Sequence, residues 1–282
     1  MSPPGGHPSE DAGARHQGTA VSGVLVRQDG PVQHLTLDRP QQRNAMSVAM
    51  VQALREALAA AEADGRTRVL VLRGSGGHFC AGGDIRDMAT ARARLTEDPD
   101  AIAELSAAFG ELCVAFSRTG LATVAVLEGS VMGGGFGLAC VADVALAGES
   151  VAFRLPETSL GLVPAQIGPF LVERLGYSEA RRLAVTGARL GANEALALRL
   201  VHEVHPDTAL DSALARVVNS ILQCAPGAVA ATKALLARAR HNAPASLVQE
   251  AAEAFSAAVL GAEGQEGTAA FVARRRPAWA PT

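Results

Sequence analysis

The chain has 282 residues, of which 49% are hydrophobic and 19% charged, which is enough apolar material for a sizeable core. The formal net charge of -3 lacks the basic excess typical of nucleic-acid-binding proteins, so no nucleic-acid partner is expected. No stretch reaches the roughly 18 apolar residues of a membrane span without glycine or charge, so no membrane partner is expected.

Residues 1–20 are rich in proline, glycine, serine and histidine and contain no apolar run. This composition predicts a disordered lead-in and lacks the apolar segment of a signal peptide. The cysteines at positions 80, 113, 140 and 224 form no CxxC pair, and no zinc-ligand spacing is present. Reduced thiols, no metal site and a cytoplasmic location are therefore expected.

A β-hairpin and a helix are predicted next. Val24–Val26 and Val32–Leu37 have the pattern of strands, and the Asp29-Gly30 pair between them is a strong turn signal. A helical pattern follows, with Ser47 as a plausible N-cap and Gly65 as the residue that ends it.

The middle of the chain repeats one pattern of strand, glycine turn and helix. Val69–Arg73 is a short apolar run, typical of a buried strand, and it leads into the turn Gly74–Gly83. After a helical stretch at Asp100–Arg118, the strand Thr123–Glu128 leads into a second turn, Gly129–Gly137. Repeated βα units imply a parallel sheet with helical crossovers. Ligands bind at the carboxyl ends of such strands, where both turns fall.

Further elements complete the pattern: a helix at Phe136–Asp143, then strands at Val144–Ala147 and Val151–Arg154. From Gly168 onward the sequence is mainly helical and rich in alanine, leucine and arginine. These features predict an α/β core over residues 21–205 and a helical C-terminal region over 206–282.

Both glycine turns are candidates for binding a ligand through backbone N–H groups. The first runs from His78 to Ile85 and the second from Gly129 to Gly137. Glycines let the backbone approach a ligand closely, and paired N–H donors to one oxygen form an oxyanion hole. Dinucleotide binding ranks lower because neither turn reads G-x-G-x-x-G, and the absence of G-K-[ST] excludes a P-loop.

Glu157 is the candidate for proton transfer. It follows Pro156 and precedes the apolar residues Leu160, Leu162 and Val163, whose proximity would raise the pKa of its carboxyl toward neutrality. An exposed loop carboxylate is the alternative interpretation. A nucleophilic Cys80 is disfavoured because the sequence shows no partner base for it.

Several short motifs together resemble the crotonase superfamily of enoyl-CoA hydratases and isomerases, from about Val24 to Trp279. The fold that this resemblance implies is α/β, a crotonase (ClpP-like) spiral of ββα units with a helical C-terminal region. The motifs are Arg39-Pro40 with Arg43-Asn44-Ala45, Phe79–Asp84, Gly133-Gly134-Gly135, Pro156-Glu157, and Glu266-Gly267 with Phe271 and Arg274-Arg275.

The resemblance implies an enzyme acting on an acyl-CoA and assembled as a homotrimer or a hexamer, a dimer of trimers. Coenzyme A is part of the substrate, and no other cofactor or metal is implied. The implied catalytic residues are Gly83 and Gly134, as N–H donors, and Glu157. The implied substrate- and CoA-binding residues are Arg43, Ala45, Ala81, Gly82, Asp84, Ile85, Gly133, Pro156, Gln166, Phe271 and Arg274.

One position departs from the family pattern. Two-carboxylate hydratases carry a first glutamate where this chain has Gly137. A single carboxylate suffices for an allylic double-bond shift, and also for hydration if another group or solvent supplies the α-proton. Both reactions stay open on this ground. Hydration is preferred because of the resemblance to glutaconyl-CoA hydratases described next, with a Δ3–Δ2-enoyl-CoA isomerase as the alternative. A non-catalytic CoA- or RNA-binding relative is the alternative from another class.

The sequences of Gly133–Cys140 and Leu155–Phe170 are similar to those of hydratases that act on branched glutaconyl-CoA esters in acyclic-terpene or leucine breakdown. Such substrates carry a second carboxylate, and Gln166 and Arg154 are the candidates to meet it. For Arg154 a solvent-facing position is favoured, because mid-strand charges usually point outward.

Four polar residues receive structural or surface roles. Asp84 is expected to cap the helix that begins after it, and His78 is expected to have no chemical role. Lys233 and Arg238 are expected on a solvated helix face, which leaves Arg43 and Arg274 as cations for the CoA phosphate.

Overall fold

A computed structural model of the chain describes residues 18–281, so residues 1–17 of the predicted lead-in lie outside the described range. Thr19 and Ala20 were included in that lead-in, but they belong to the first strand, where they pair with Val26 and Leu25. Their assignment to a disordered segment is therefore wrong.

Ten strands lie among the described residues. They are β1 (Thr19–Val21), β2 (Val24–Asp29), β3 (Val32–Leu37), β4 (Val69–Gly74), β5 (Ala122–Leu127), β6 (Ser130–Met132), β7 (Val144–Gly148), β8 (Ala152–Arg154), β9 (Arg189–Gly191) and β10 (Glu203–His205). Seven form one sheet in the order β1-β2-β3-β4-β5-β7-β10, which is parallel from β3 to β10. The other three form a small sheet in the order β6-β8-β9.

Ten α-helices surround the sheets within the same range. They are α1 (Val48–Ala63), α2 (Ile85–Ala93), α3 (Ala101–Arg118), α4 (Gly134–Val141), α5 (Gly168–Thr186), α6 (Ala192–Ala197), α7 (Leu210–Leu222), α8 (Pro226–Ala239), α9 (Val248–Leu260) and α10 (Ala262–Val272). Helix α5 is kinked at Gly176, whose φ of 74° is non-helical.

The large sheet buries both of its faces, because successive side chains of a strand point in opposite directions. On β4, Leu70 and Leu72 join the cluster formed with α1, α3 and α4, whereas Val69 and Val71 join the cluster formed with α7. This double burial explains why the strand reads as an uninterrupted apolar run.

The hairpin and the first helix are confirmed. Strands β2 and β3 pair in antiparallel register across Gly30, and the Ser47 hydroxyl accepts a hydrogen bond from the Met50 N–H at the start of α1. The two buried strands and both turns also form as predicted. The second turn, however, contains the three-residue strand β6, which the sequence analysis treated as part of the loop.

Strand β10 ends at His205, where the predicted core ends, and only helices follow it in the described range. Leu210, Leu214 and Val217 of α7 nevertheless pack on the large sheet, so this helix shares a hydrophobic layer with the core. Within residues 18–281 no single helix has the length and hydropathy to cross a membrane; the pair Asp207–Leu222 and Pro226–Ala239 meets the thresholds only when joined across a 95° bend.

Candidate active site

The two glycine turns lie side by side beyond the carboxyl ends of β4 and β5. Cys80 of the first turn pairs with Val131 of β6 as a parallel bridge. The Cys80 N–H donates to the Ser130 carbonyl at 2.9 Å, and the Met132 N–H donates to the Cys80 carbonyl at 2.9 Å. The first turn is therefore bonded to the β6 edge of the small sheet, which fixes its position relative to the second turn.

A buried asparagine fixes the loop on the other side of the first turn. The Asn44 amide donates to the carbonyls of Ser75 and His78, at 2.9 and 2.6 Å, and its oxygen accepts from the Arg39 N–H at 2.8 Å. The Met46 N–H also donates to the Gly82 carbonyl at 2.8 Å. The loop that carries the family's N-terminal signature and the first turn are thus one hydrogen-bonded unit.

Gly83 and Gly134 both line one cavity of about 230 Å³. Neither N–H donates to an acceptor within residues 18–281, and Gly134 is the first residue of α4, where helical N–H groups lack intrahelical partners. The preceding residues, Gly82 and Gly133, have φ values of 103° and 50°, which favour glycine. The backbone can therefore aim two donors into the same space, as an oxyanion hole requires.

Glu157 faces the same cavity at the start of a short 3₁₀ turn, Glu157–Leu160. Its Oε1 lies against Gly133, where an added Cβ would be only 2.8 Å away, and its buried Oε2 accepts no hydrogen bond within the described residues. Burial raises the pKa of the Glu157 carboxyl above its ordinary value of 4.5, as predicted. All three apolar residues expected around it, Leu160, Leu162 and Val163, are exposed, and of these only Val163 lines the cavity.

Helix α3 supplies a wall of the cavity that sequence analysis missed. Ile102, Leu105, Ser106 and Phe109 follow the i, i+3, i+4, i+7 spacing of one helix face, so the periodicity of this segment was the available signal. The other lining residues that were not predicted are Met46, Val48, Val51, Asp87, Met88, Ala108, Pro164, Ala165 and Ile167.

Gln166 lines the cavity and lies against α3. Its Nε2 donates to the Ser106 hydroxyl at 3.2 Å, and its carboxamide occupies the space that a side chain on Gly110 would fill. Within residues 18–281, no lysine or arginine lines the cavity. The polar side chains that line it are thus the neutral Gln166 and Ser106 and three acidic residues, Asp84, Asp87 and Glu157.

The space of the missing first glutamate is occupied. A Cβ on Gly137 would overlap with the Ile167 Cγ2 atom and would lie 3.6 Å from the Phe109 ring. The absence of a side chain at this position is therefore matched by apolar packing, and no carboxylate can enter without displacing Ile167.

Restoring the glutamate should damage the protein. We expect Gly137→Glu to lower the free energy of unfolding by about 1–3 kcal/mol, the usual cost of overpacking, and to bring no gain in activity. Adding Ile167→Ala to this variant should recover part of the stability because it removes the overlapping group. Urea unfolding of the two variants and of Ile167→Ala alone measures this, and equal stability of Gly137→Glu and the unmodified protein would contradict it.

Other predicted binding residues surround the turns without lining the cavity. The Arg43 carbonyl accepts from the Ala81 N–H at 3.0 Å, and the Ala45 carbonyl accepts from the Arg39 guanidinium. Arg43 is exposed beside the first turn. Ile85 is also exposed, at the start of α2, and Pro156 precedes the 3₁₀ turn that carries Glu157.

The predicted CoA-binding residues of the C-terminal helix are not brought to this cavity. Phe271, on α10, is 85% exposed, and Arg274 is exposed just after that helix. Neither residue lines the cavity of its own chain.

Two positively charged residues lie elsewhere than predicted. Arg154 is half-buried rather than fully exposed and does not line the cavity, and its Nε donates to the Gly187 carbonyl at 3.2 Å. Lys233 is not on a solvated face, because its Nζ donates to the Leu121 carbonyl and to Asp143, each at 2.6 Å. Arg238 is exposed and pairs with Glu250 at 2.8 Å.

Three polar residues in the turns have structural contacts. Asp84 caps α2 as predicted, by accepting from the Arg86 N–H at 2.9 Å, and pairs with Arg39 at 2.7 Å. The His78 ring accepts from the Ser130 N–H at 3.1 Å. Burial raises the pKa of the Cys80 thiol to about 11, which leaves it protonated near neutrality and unsuited to nucleophilic attack.

Comparisons with known proteins agree with this geometry. The family model for enoyl-CoA hydratase/isomerase matches residues 27–281. The chain is 31% identical over 260 residues to 2,3-dehydroadipyl-CoA hydratase of Escherichia coli (strain K12), an alignment covering 91% of this chain and 98% of that protein. Among solved structures, Pseudomonas aeruginosa AtuE is 51% identical with a TM-score of 0.88, over 92% of this chain and all of that one. An enoyl-CoA hydratase/isomerase from Marinobacter aquaeolei is 47% identical, also with a TM-score of 0.88, over 92% and 99%.

The chain belongs to the enoyl-CoA hydratase/isomerase family, which confirms the predicted superfamily and fold class. It is an enzyme of the hydro-lyase type, as its hydratase relatives indicate. The alternative of a non-catalytic relative is thereby set aside.

Proposed function

We propose that this enzyme adds water across the double bond of a branched α,β-unsaturated acyl-CoA. The observation that supports the proposal most directly is that three groups line one cavity. They are Gly83 and Gly134, whose N–H groups donate to no acceptor within residues 18–281, and Glu157, whose Oε2 has no hydrogen-bonding partner in that range. Two donors on a thioester oxygen stabilise the enolate that forms when water attacks the β-carbon.

Glu157 acts as the general base in the proposed reaction. Its carboxylate takes a proton from water as the oxygen bonds to the β-carbon, and the electron pair of the double bond moves to the thioester oxygen. The enolate then collapses as the α-carbon takes a proton. Asp84 and Asp87 also line the cavity, but one pairs with Arg39 and the other accepts from the Val48 N–H at 2.7 Å. Glu157 is therefore the carboxyl we assign to return the proton, on the same face, which gives syn addition.

This chemistry calls on no metal or redox cofactor, because backbone dipoles carry the enolate charge. Coenzyme A takes part as a portion of the substrate. The exposed Arg43 beside the first turn is the cation we assign to its phosphate groups, together with Arg274 from the C-terminal helix.

The acyl group we propose is a branched glutaconyl ester, such as isohexenylglutaconyl-CoA or 3-methylglutaconyl-CoA. The similarity of residues 133–140 and 155–170 to glutaconyl-CoA hydratases supports this acyl group. The Gln166 carboxamide, which lines the cavity, offers a neutral hydrogen-bonding partner to the second carboxylate. With Arg154 bonded to Gly187, Gln166 is the candidate that remains of the two. The associated pathways are acyclic-terpene or leucine breakdown.

We also propose a homotrimer or a dimer of trimers. Phe255 and Leu260 on α9 and Phe271 and Val272 on α10 are 72%, 70%, 85% and 82% exposed, an unusually apolar surface for a free subunit. Since Phe271 does not line the cavity of its own chain, its proposed contact with CoA requires a neighbouring subunit. The cytoplasmic location predicted from the cysteines stays a prediction.

The isomerase alternative rests on the single carboxylate, and one assay separates the two reactions. Incubated with 3-methylglutaconyl-CoA, the enzyme should form a product heavier by one water, with loss of the conjugated double bond. A control incubation uses a 3-enoyl-CoA in deuterated water. Conversion of the 3-enoyl-CoA to its 2-enoyl isomer, with no water added to either compound, would show that the enzyme is an isomerase.

A further inference from the structure

A second cavity of about 520 Å³ lies next to the catalytic one. The same two segments of the chain line both cavities: helix α3, and residues 163–170 at the start of α5. Ser106 and Phe109 line the catalytic cavity, and Ala107, Gly110 and Val114 line the second. Because these residues alternate along the helix, the two cavities lie on neighbouring faces of α3.

The side chain of Gln166 stands between the two cavities and lines both. Within residues 18–281 its carboxamide makes one hydrogen bond, donated to the Ser106 hydroxyl at 3.2 Å, and it lies in the space left by the missing side chain of Gly110. A flexible side chain with one hydrogen bond can take another rotamer at modest cost. If it turns away from Gly110, the wall between the cavities opens.

The lining of the second cavity is suited to hydrocarbon. Ala107, Val114, Ala115 and Phe170 contribute apolar surface. The acidic group at its edge, Glu111, is paired with Arg55 at 2.6 Å. An apolar chain entering this space would thus be removed from water without facing an unpaired buried charge.

From these contacts we propose that Gln166 is a movable partition, and that the second cavity binds the apolar end of an acyl chain too long for the catalytic cavity alone. At about 230 Å³ the catalytic cavity is smaller than the roughly 300–1,000 Å³ typical of small-molecule sites. A chain that displaces the carboxamide gains the adjoining space. The inference rests on the proposed acyl-CoA function and adds to it a subsite for a long hydrocarbon branch.

The test compares trans-2-decenoyl-CoA with crotonyl-CoA, and its readout is the ratio of their kcat/KM values. Ala107→Phe fills the second cavity from an exposed position of α3, so it should lower this ratio by about tenfold, as expected when one or two methylenes lose their burial. Ala103→Phe is the matched control, since Ala103 is exposed on the same helix and lines neither cavity. It should leave the ratio unchanged.

A second variant tests the partition itself. The Cβ added by Gly110→Ala overlaps with the Gln166 carboxamide, which is the mobile end of a flexible side chain, so this variant should fold and should raise the ratio. A ratio that neither variant changes, in an enzyme that hydrates crotonyl-CoA, would overturn the partition and leave the proposed function standing. An enzyme that hydrates no enoyl-CoA at all would overturn both.

Discussion

Replacing Glu157 with glutamine should lower kcat for enoyl-CoA hydration by about 10²–10⁴-fold, the usual contribution of a positioned general acid or base. The amide keeps the shape of the side chain but cannot accept the water proton. Its buried Oε2 position has no hydrogen-bonding partner within residues 18–281, so the substitution breaks no contact there. Steady-state kinetics with a 2-enoyl-CoA provides the measurement.

Glu149→Gln is the matched control for this loss. Glu149 is an exposed carboxylate at the end of β7 and does not line the cavity. Its substitution changes the net charge by the same amount, so it should leave kcat within about twofold, as is usual for surface changes away from a site. A Glu157→Gln enzyme that turns over as fast as this control would show that the carboxyl takes no part in the reaction.

The pH profile supplies a second signature of the same group. Burial raises the pKa of the Glu157 carboxyl above 4.5, and a general base must be deprotonated. The value of kcat/KM should therefore fall as pH drops through this raised pKa, and the midpoint of the fall should lie above pH 4.5. The residual activity of Glu157→Gln should not show this fall at low pH. An enzyme that instead lost activity as pH rose through this range would be using Glu157 in its acid form.

Removing one amide donor from the first turn should have the second largest effect. Gly83→Pro deletes the N–H that we assign to the thioester oxygen, and the loss of one oxyanion-hole donor costs about 10²–10³ in kcat. Since the Gly83 N–H donates to no acceptor in the described part of the chain, no structural hydrogen bond is lost with it. The measurement is kcat on a 2-enoyl-CoA, with circular dichroism to confirm the fold.

Gly83→Ala separates the donor from the glycine. An added Cβ at this position meets no atom within 4 Å, and the backbone is not in the left-handed region, so alanine keeps the N–H and its geometry. This variant should retain most of the activity. Equal losses in the alanine and proline variants would show that the missing side chain matters rather than the N–H group.

Local signals in the sequence predicted the elements that depend on neighbouring residues. The Asp29-Gly30 turn fixes the hairpin, and the Ser47 hydroxyl caps its helix through a contact only three residues away. The three-residue strands β1, β6, β9 and β10 were missed, because segments this short show too little of a period, whereas β8 falls within the predicted strand Val151–Arg154. The strands β6, β9 and β10 form because partners distant in the sequence bind their backbone groups, as β7 does for β10.

The candidate site shows the same limit. The glycine turns and Pro156-Glu157 can be recognised in the sequence as motifs, and the family resemblance assigns a role to each. The opposite wall is not visible in this way, because Gln166 and Phe109 reach the cavity only through the packing of α3 against the start of α5. Likewise, the sequence reveals that Gly137 lacks a carboxylate, but only the structure shows that Ile167 fills its place.

In the proposed complex, the unit built around Asn44 links two distant ends of the substrate. The same loop supplies Arg43, beside the proposed CoA phosphate, and Met46, whose carbonyl accepts from the Asp84 N–H at 2.9 Å next to Gly83. Under this proposal, binding energy gained at the CoA phosphate positions the carbonyl that must be polarised, because hydrogen bonds join the two backbone segments. An acyl group presented on a truncated carrier would lose this contribution as a slower chemical step, and not only as weaker binding.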